Sequence, residues 1–296
     1  MFDVWIILTA SLVAMACSFV GCFLVLRKMA MIGDAISHAV LPGIVITFLI
    51  SGSRGSFWML LAAAVVGLLA VFIIQWMTQL GLQSDASIGV VFTSFFALGV
   101  LLVSVYSRQI DLDLDCVLYG EIAFVPWNTI QLFGYDLGPK AIWLVGFAFL
   151  LSILVVGLCY KQFKITSFDP AMAATLGIPV MLFHYALMSL VSVTTVASFE
   201  SVGAILVVGM LIVPASAAYL CTEKLHMMIF ISMGIGVLSA VIGYGVASWF
   251  DVSIAGSMIA VAGVIFMLAL ALSPSQGLLV RRIKQRRRKQ ASIHVN

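Results

Sequence analysis

Long apolar runs separated by short polar punctuation set the pattern of this chain. Runs at 5–26, 29–50, 57–79, 88–106, 141–160, 180–199, 202–221, 227–248 and 254–273 each approach the ~20 residues that a helix needs to cross hydrocarbon. The pattern predicts an all-α fold, a polytopic membrane bundle of about nine transmembrane helices. The sixth and seventh runs are parted only by Phe199-Glu200-Ser201, either a tight outer turn or part of a broken helix.

One run breaks its own rule. Gly33-Asp34-Ala35-Ile36-Ser37-His38-Ala39-Val40-Leu41-Pro42-Gly43 puts an acid and an imidazole inside the second apolar stretch. A charged group at the bilayer centre costs roughly 2.5–3.5 kcal/mol on insertion scales, which makes such residues functional-site candidates. Asp34 and His38 stand four apart, so a helix presents both on one face within reach of one cation. They form either a metal-ligand pair or a purely structural pair. Pro42 has no N–H for the carbonyl of His38, so it frees a backbone oxygen at the level of the imidazole. Interrupted helices at membrane mid-depth are where transporters hold ions. Ser37 offers a weak oxygen or a supporting hydrogen bond. Two side chains are too few for a transition metal, which takes about four to six ligands. Other helices, or the same pair from a second subunit, would complete the set. Carboxylate with imidazole and no thiolate suits Mn²⁺, Fe²⁺ or Zn²⁺. Glu200 is a weaker candidate for lining an outer mouth, and His184 reads as structural.

Composition places the solvent. The chain has 296 residues, 63% of them hydrophobic and 9% charged, against about 25% charged in soluble domains. The start lacks a basic region, so the first run reads as a retained helix rather than a signal peptide. The five cysteines form no CxxC pair and read as buried small hydrophobes.

Charge gives orientation. With nine crossings the ends lie on opposite sides. If the C-terminal side is cytoplasmic, twelve of the fifteen basic residues fall inside: Arg27, Lys28, Lys161, Lys164, Lys224 and seven in the cluster Arg281–Lys289. The excess of cytoplasmic Lys and Arg predicts the N-terminus outside and the C-terminus inside. The basic tail 274–296 is then a cytoplasmic anchor that meets anionic lipid, with no role in nucleic-acid binding.

Two polar segments are long enough to act. The outer segment 107–140 holds Asp111, Asp113 and Asp115 in alternation, resembling a short extended piece. The inner segment 161–179 carries the signals of a short helix over 170–176. Asp169 is its N-cap, Pro170 its first residue and Gly177 its stop, with Pro179 beyond. Met172 and Leu176 share one face. No G-x-x-x-x-G-K-[ST] run is present, so any ATP that drives transport is bound by another chain.

Three motifs in order resemble those of the metal-ion (manganese, zinc, iron) family of bacterial ABC importer permeases: Gly33 to Gly43, Ser167-Phe168-Asp169-Pro170 to Leu176-Gly177-Ile178-Pro179, and Ser201-Val202-Gly203 to Pro214-Ala215. The resemblance spans nearly the whole chain. It implies a permease domain over 1–273 in the bacterial cell membrane, not an enzyme and without a permanently bound cofactor. The implied partners are a second permease subunit, identical or different, cytoplasmic ABC ATPase subunits and an extracytoplasmic metal-binding protein. It implies that Asp34 and His38 coordinate the transported metal. It also implies that Asp169, Pro170, Met172, Leu176 and Gly177 couple to the ATPase. The stretch 113–121 looks more like the manganese branch than the zinc branch.

Three functions compete on the residues: an ATP-driven divalent-metal importer, a gradient-driven metal transporter, and an intramembrane enzyme using Asp34 and His38 as an acid–base pair. The capped helix favours the first, because a secondary transporter has no ATPase to dock. The third lacks a nucleophile or a full metal set.

Overall fold

A computed structural model describes residues 2–51, 57–106, 122–132 and 135–273. The alternating acids Asp111, Asp113 and Asp115 and the basic tail 274–296 lie outside the described residues. Among those described, nine helical spans are long and apolar enough to cross a membrane. They are α1 (Phe2–Leu26), the pair α2 (Ala30–Ala39) and α3 (Leu41–Ser51), α4 (Phe57–Gln79), α5 (Ser84–Tyr106), α6 (Lys140–Leu158), α9 (Val180–Val202), α10 (Ala204–Cys221), α11 (Leu225–Phe250) and α12 (Ile254–Leu272). Two short helices, α7 (Tyr160–Phe168) and α8 (Pro170–Thr175), stand between α6 and α9. Lipid cannot hydrogen-bond a backbone, so each crossing satisfies its own amides as helix.

The helices form two groups. In one, α1 packs with α10 and α11, and α12 packs on those two; in the other, α2 and α3 pack with α4 and α5. Helix α9 joins the groups by touching α1, α2, α4 and α6. Small residues permit the closest approaches. A side chain at Gly21 on α1 would run into the carbonyl of Leu211 on α10, and one at Gly243 on α11 would strike the backbone of Met258 on α12. Gly236 on α11 faces Ala14 and Ser18 of α1. Close packing of this kind is the main source of helix association in lipid, where the hydrophobic effect between helices is absent.

Polar atoms follow the same seams. Ser18 Oγ donates to the Met210 carbonyl at 3.3 Å and Ser192 Oγ to the Ala64 carbonyl at 3.2 Å. Ser152 and Thr194 hydroxyls meet at 3.4 Å. Thus α9, the crossing richest in Ser and Thr, turns these hydroxyls toward neighbours rather than lipid.

The two faces of the bundle are each tied. On the face of α1's N-terminus, Tyr244 Oη donates to Asp3 Oδ1 at 2.6 Å. A two-stranded antiparallel hairpin, β1 (Thr129–Leu132) and β2 (Tyr135–Pro139), lies on that face, with Gly138 against Trp5. Gly138 has φ +87°, a conformation that an L side chain avoids. On the opposite face, Ser273 Oγ donates to the Leu220 carbonyl, joining the ends of α12 and α10.

Of four local features, the first two are breaks that the sequence allows for and the last two depart from its expectation. The second crossing is two helices meeting at Val40. Phe199-Glu200-Ser201 is helical, and the break falls at Gly203, where φ is +80°. The segment after residue 160 is helical from Tyr160, ahead of the capped turn. The hairpin at 129–139 was not foreseen, because four- and five-residue strands leave little trace in a hydropathy pattern.

Candidate functional site

Asp34 and His38 lie on α2, one turn apart, with His38 Nε2 3.6 Å from Asp34 Oδ1. Neither is sealed off: the side chains are 24% exposed for His38 and 38% for Asp34. On its inner side the imidazole rests against α5. Its ring meets Phe92 at 5.2 Å and Phe96 at 5.7 Å between centroids, edge-on to both. These phenyl rings cover one side of the imidazole, and its Nε2 edge faces Asp34. In such a low-dielectric setting a dication gains more from a carboxylate than it would in water.

Local sequence explains how α2 holds this position. Gly33 lets α2 approach Leu211 of α10, because a Cβ there would come within 3.0 Å of that side chain. Gly43 does the same for α3 against Val66 of α4, at 2.9 Å. Gly99 of α5 leaves room for Leu41, at 2.8 Å. So both glycines that frame the motif serve packing. The Val40 amide reaches Ile36 O at 3.2 Å, and the Ile44 amide reaches Val40 O at 3.2 Å. Between them Pro42 offers no N–H, so the His38 carbonyl lacks the i+4 donor of a continuous helix and accepts instead an amide that closes α2.

Ser37 lies on α2 between the two donors. It is buried, and its hydroxyl donates to the Asp34 carbonyl at 2.7 Å, within the same helix. Glu200 falls on the last turn of α9, two residues before the helix ends at Val202. Among the described residues no third His, Cys, Asp or Glu joins Asp34 and His38 in a metal-binding group.

The second cluster lies at the other predicted region. Asp169 is the N-cap of α8, its Oδ1 accepting the Met172 amide at 2.9 Å. At the C-terminal end, the Ile178 amide reaches Ala173 O at 3.0 Å and the Gly177 amide reaches Ala174 O at 3.1 Å, with Gly177 at φ +75°. That paired closure is the Schellman stop, and it needs the left-handed residue. Pro170 opens the helix, where its missing N–H costs nothing. Met172 and Leu176 are 55% and 58% exposed. Together with α7, α8 borders an open cleft of about 400 Å³ lined by Lys161, Lys164, Ile165, Phe168, Asp169 and Met172.

Sequence reasoning missed Phe92, Phe96 and Arg27. The two phenylalanines are ordinary apolar residues within an apolar run, so nothing local marked them. Arg27 counted only as a topology charge. In the structure it is partly buried and donates from Nε to Ser167 Oγ at 3.1 Å and from Nη2 to Thr166 Oγ1 at 3.0 Å. Burial lowers its pKa to about 10, which leaves it cationic at neutral pH.

Comparison with known proteins decides the family. Residues 1–273 match the ABC 3 transport family. The chain belongs to that family. A relative, the manganese transport system membrane protein MntD of Bacillus subtilis (strain 168), is 53% identical over 96% of each chain. The zinc transport system membrane protein TroD of Treponema pallidum (strain Nichols) is 38% identical, over 93% of this chain and 75% of its own. Among solved structures, PsaBC from Streptococcus pneumoniae in complex with Fab superposes with TM-score 0.78 at 35% identity, covering 93% of each chain. As an ABC 3 family member, this chain is a transport subunit and a multi-pass protein of the bacterial cell membrane.

Proposed function

We propose that this chain is the permease of an ATP-driven importer for a divalent metal, with Mn²⁺ as cargo. The observation that carries the reading is the Asp34–His38 pair, held partly open inside a membrane crossing whose helix is interrupted one turn further on. A carboxylate beside an imidazole, with no thiolate, is a donor set for Mn²⁺, Fe²⁺ or Zn²⁺. The name of MntD at 53% identity supports manganese. Zinc is the second reading, favoured by the name of TroD.

In this proposal the positive-inside rule sets the N-terminus outside. The elbow of α7 and α8 then faces the cytoplasm, and α8 couples to ATPase subunits through exposed Met172 and Leu176. A second permease subunit and water supply the ligands that one chain lacks. An extracytoplasmic binding protein delivers the ion to the outward-open site, and ATP-driven rearrangement opens the site inward.

The test is uptake by the assembled importer in proteoliposomes, with Mn²⁺ competed by Zn²⁺ and Fe²⁺. ATP-dependent Mn²⁺ accumulation that a modest excess of Zn²⁺ fails to suppress is expected. Accumulation without ATP, or Zn²⁺ taken up in preference, rejects the reading as stated.

A further inference from the structure

Helix α1 ends in a tight turn. The Lys28 amide reaches Val25 O at 3.1 Å and the Met29 amide reaches Leu24 O at 3.0 Å, with Lys28 at φ +58°. This closure needs a left-handed residue, and here a lysine fills a place that glycine usually takes. Helix α2 starts at Ala30, so Arg27 stands one short, well-bonded turn ahead of the helix that carries Asp34 and His38.

From that turn the Arg27 guanidinium reaches the C-terminal end of α7. Its Nε and Nη2 meet the hydroxyls of Ser167 and Thr166, both buried. Thr166 Oγ1 lies 2.9 Å from Gln162 O and 3.2 Å from Phe163 O. The guanidinium therefore sits where the last carbonyls of α7 carry negative partial charge, a favourable place for a cation. Among the described residues its hydrogen-bond partners are neutral hydroxyls. Two adjacent donors of one planar fork are bound to two adjacent residues. That arrangement resists rotation in a way a single ammonium cannot.

Among the described residues the elbow also touches the crossing helices through α7 and α8 against α9 and through α7 against α1. Phe163 of α7 packs edge-on against Phe23 of α1 at 6.1 Å and Phe183 of α9 at 5.2 Å. Apolar ring contacts allow sliding, whereas the forked hydrogen bonds fix register. Ser167 is also two residues from Asp169, the cap of α8.

We propose that Arg27 is a positioning residue for transport: a strut that makes the α1–α2 turn, and with it the Asp34–His38 helix, move with the α7–α8 elbow. The inference rests on the importer reading above, in which the elbow receives the motion of the ATPase. A push on α8 is passed from Asp169 to Ser167 and Thr166. The guanidinium carries it to the α1–α2 turn, seven residues before Asp34. Without the strut, the elbow moves and the metal helix lags.

The experiment uses the complete importer in proteoliposomes, with Mn²⁺ uptake and ATP hydrolysis read from the same vesicles. Arg27→Met is expected to lower Mn²⁺ moved per ATP about fivefold or more, with hydrolysis near the wild-type rate. Arg27→Lys should recover little, because one ammonium cannot span both hydroxyls. The Thr166→Val/Ser167→Ala double variant should reproduce the loss, and adding Arg27→Met to it should cost nothing more. A wild-type ratio in Arg27→Met or in the double variant overturns the strut. So do losses that multiply when combined, or a parallel fall in uptake and hydrolysis, which marks a static staple. If Arg27→Met does not assemble, the double variant decides alone. Wild-type vesicles that accumulate Mn²⁺ without ATP overturn the importer reading instead. ATP-dependent wild-type uptake beside fully coupled variants overturns the strut alone.

Discussion

His38 turns its polar edge toward Asp34, Nε2 to Oδ1 at 3.6 Å, while its ring edges meet Phe92 and Phe96 on another helix. The imidazole is thus oriented from two sides, by a carboxylate on its own helix and by an aromatic wall across from it. A dication that enters finds both donors already on one face, so little reorganisation opposes binding.

Removing either donor should therefore stop transport without unfolding the bundle. Asp34→Ala and His38→Ala are expected to reduce Mn²⁺ uptake by at least about tenfold, since losing even a residue that only supports a metal ligand costs about 10–100-fold. Membrane insertion and detergent melting should stay close to wild type, because both groups are partly exposed. Wild-type uptake in both variants would take this pair out of the pathway.

The break at Val40 should be repairable. Pro42→Ala restores an N–H that can reach the His38 carbonyl, and a proline inside a helix costs about 3 kcal/mol. The variant is expected to melt at a higher temperature and to transport more slowly, since a continuous α2–α3 helix is stiffer at the site. Unchanged melting and unchanged uptake together would mean that the interruption is set by packing rather than by the proline.

Glycines at close helix approaches should differ sharply from those facing open space. A Cβ at Gly243 meets the backbone of Met258, which cannot move aside as a side chain could. Gly243→Ala should destabilise by roughly 1–3 kcal/mol, as overpacked sites do. Gly234 on the same helix has nothing within 4 Å, and Gly234→Ala should be neutral or mildly stabilising. Thermal unfolding of the two purified variants separates these outcomes; equal midpoints would contradict the packing given for α11 and α12.

The cap of α8 offers a graded test of the coupling role. Asp169→Ala removes the acceptor of the Met172 amide and should cost about 1 kcal/mol, whereas Asp169→Asn keeps a good cap. Uptake per ATP should fall in the first and persist in the second. Leu176→Asp leaves the cap intact but charges the exposed apolar surface, and should leave ATP hydrolysis running with little uptake. Normal coupling in Leu176→Asp would move the ATPase contact elsewhere.

How much of this was legible in the chain differs from element to element. The short helix α8 was legible at both ends, because Asp169 and Gly177 act through hydrogen bonds within a few residues. The preceding α7 was legible in principle: buried Phe163, Thr166 and Ser167 alternate with exposed Lys161 and Lys164 at helical spacing. Its charges led to a polar-segment reading instead. Phe199-Glu200-Ser201 left two readings open for a related reason, since a polar residue near a helix end marks only the approach to the turn. Gly203, with its positive φ, makes the break.

By itself the sequence determined the nine crossings, the spacing that brings Asp34 beside His38, and the caps of α8. Each follows from free energies that act locally: transfer of twenty or so apolar residues into lipid, one turn of helix, and a side chain closing on a nearby amide. The tertiary structure alone decided that Phe92 and Phe96 back the imidazole, that Leu211 receives Gly33, and that Arg27 is seated on Ser167 and Thr166. Those contacts join residues far apart in the chain. In lipid they depend on shape and close packing between helices, which no single segment encodes.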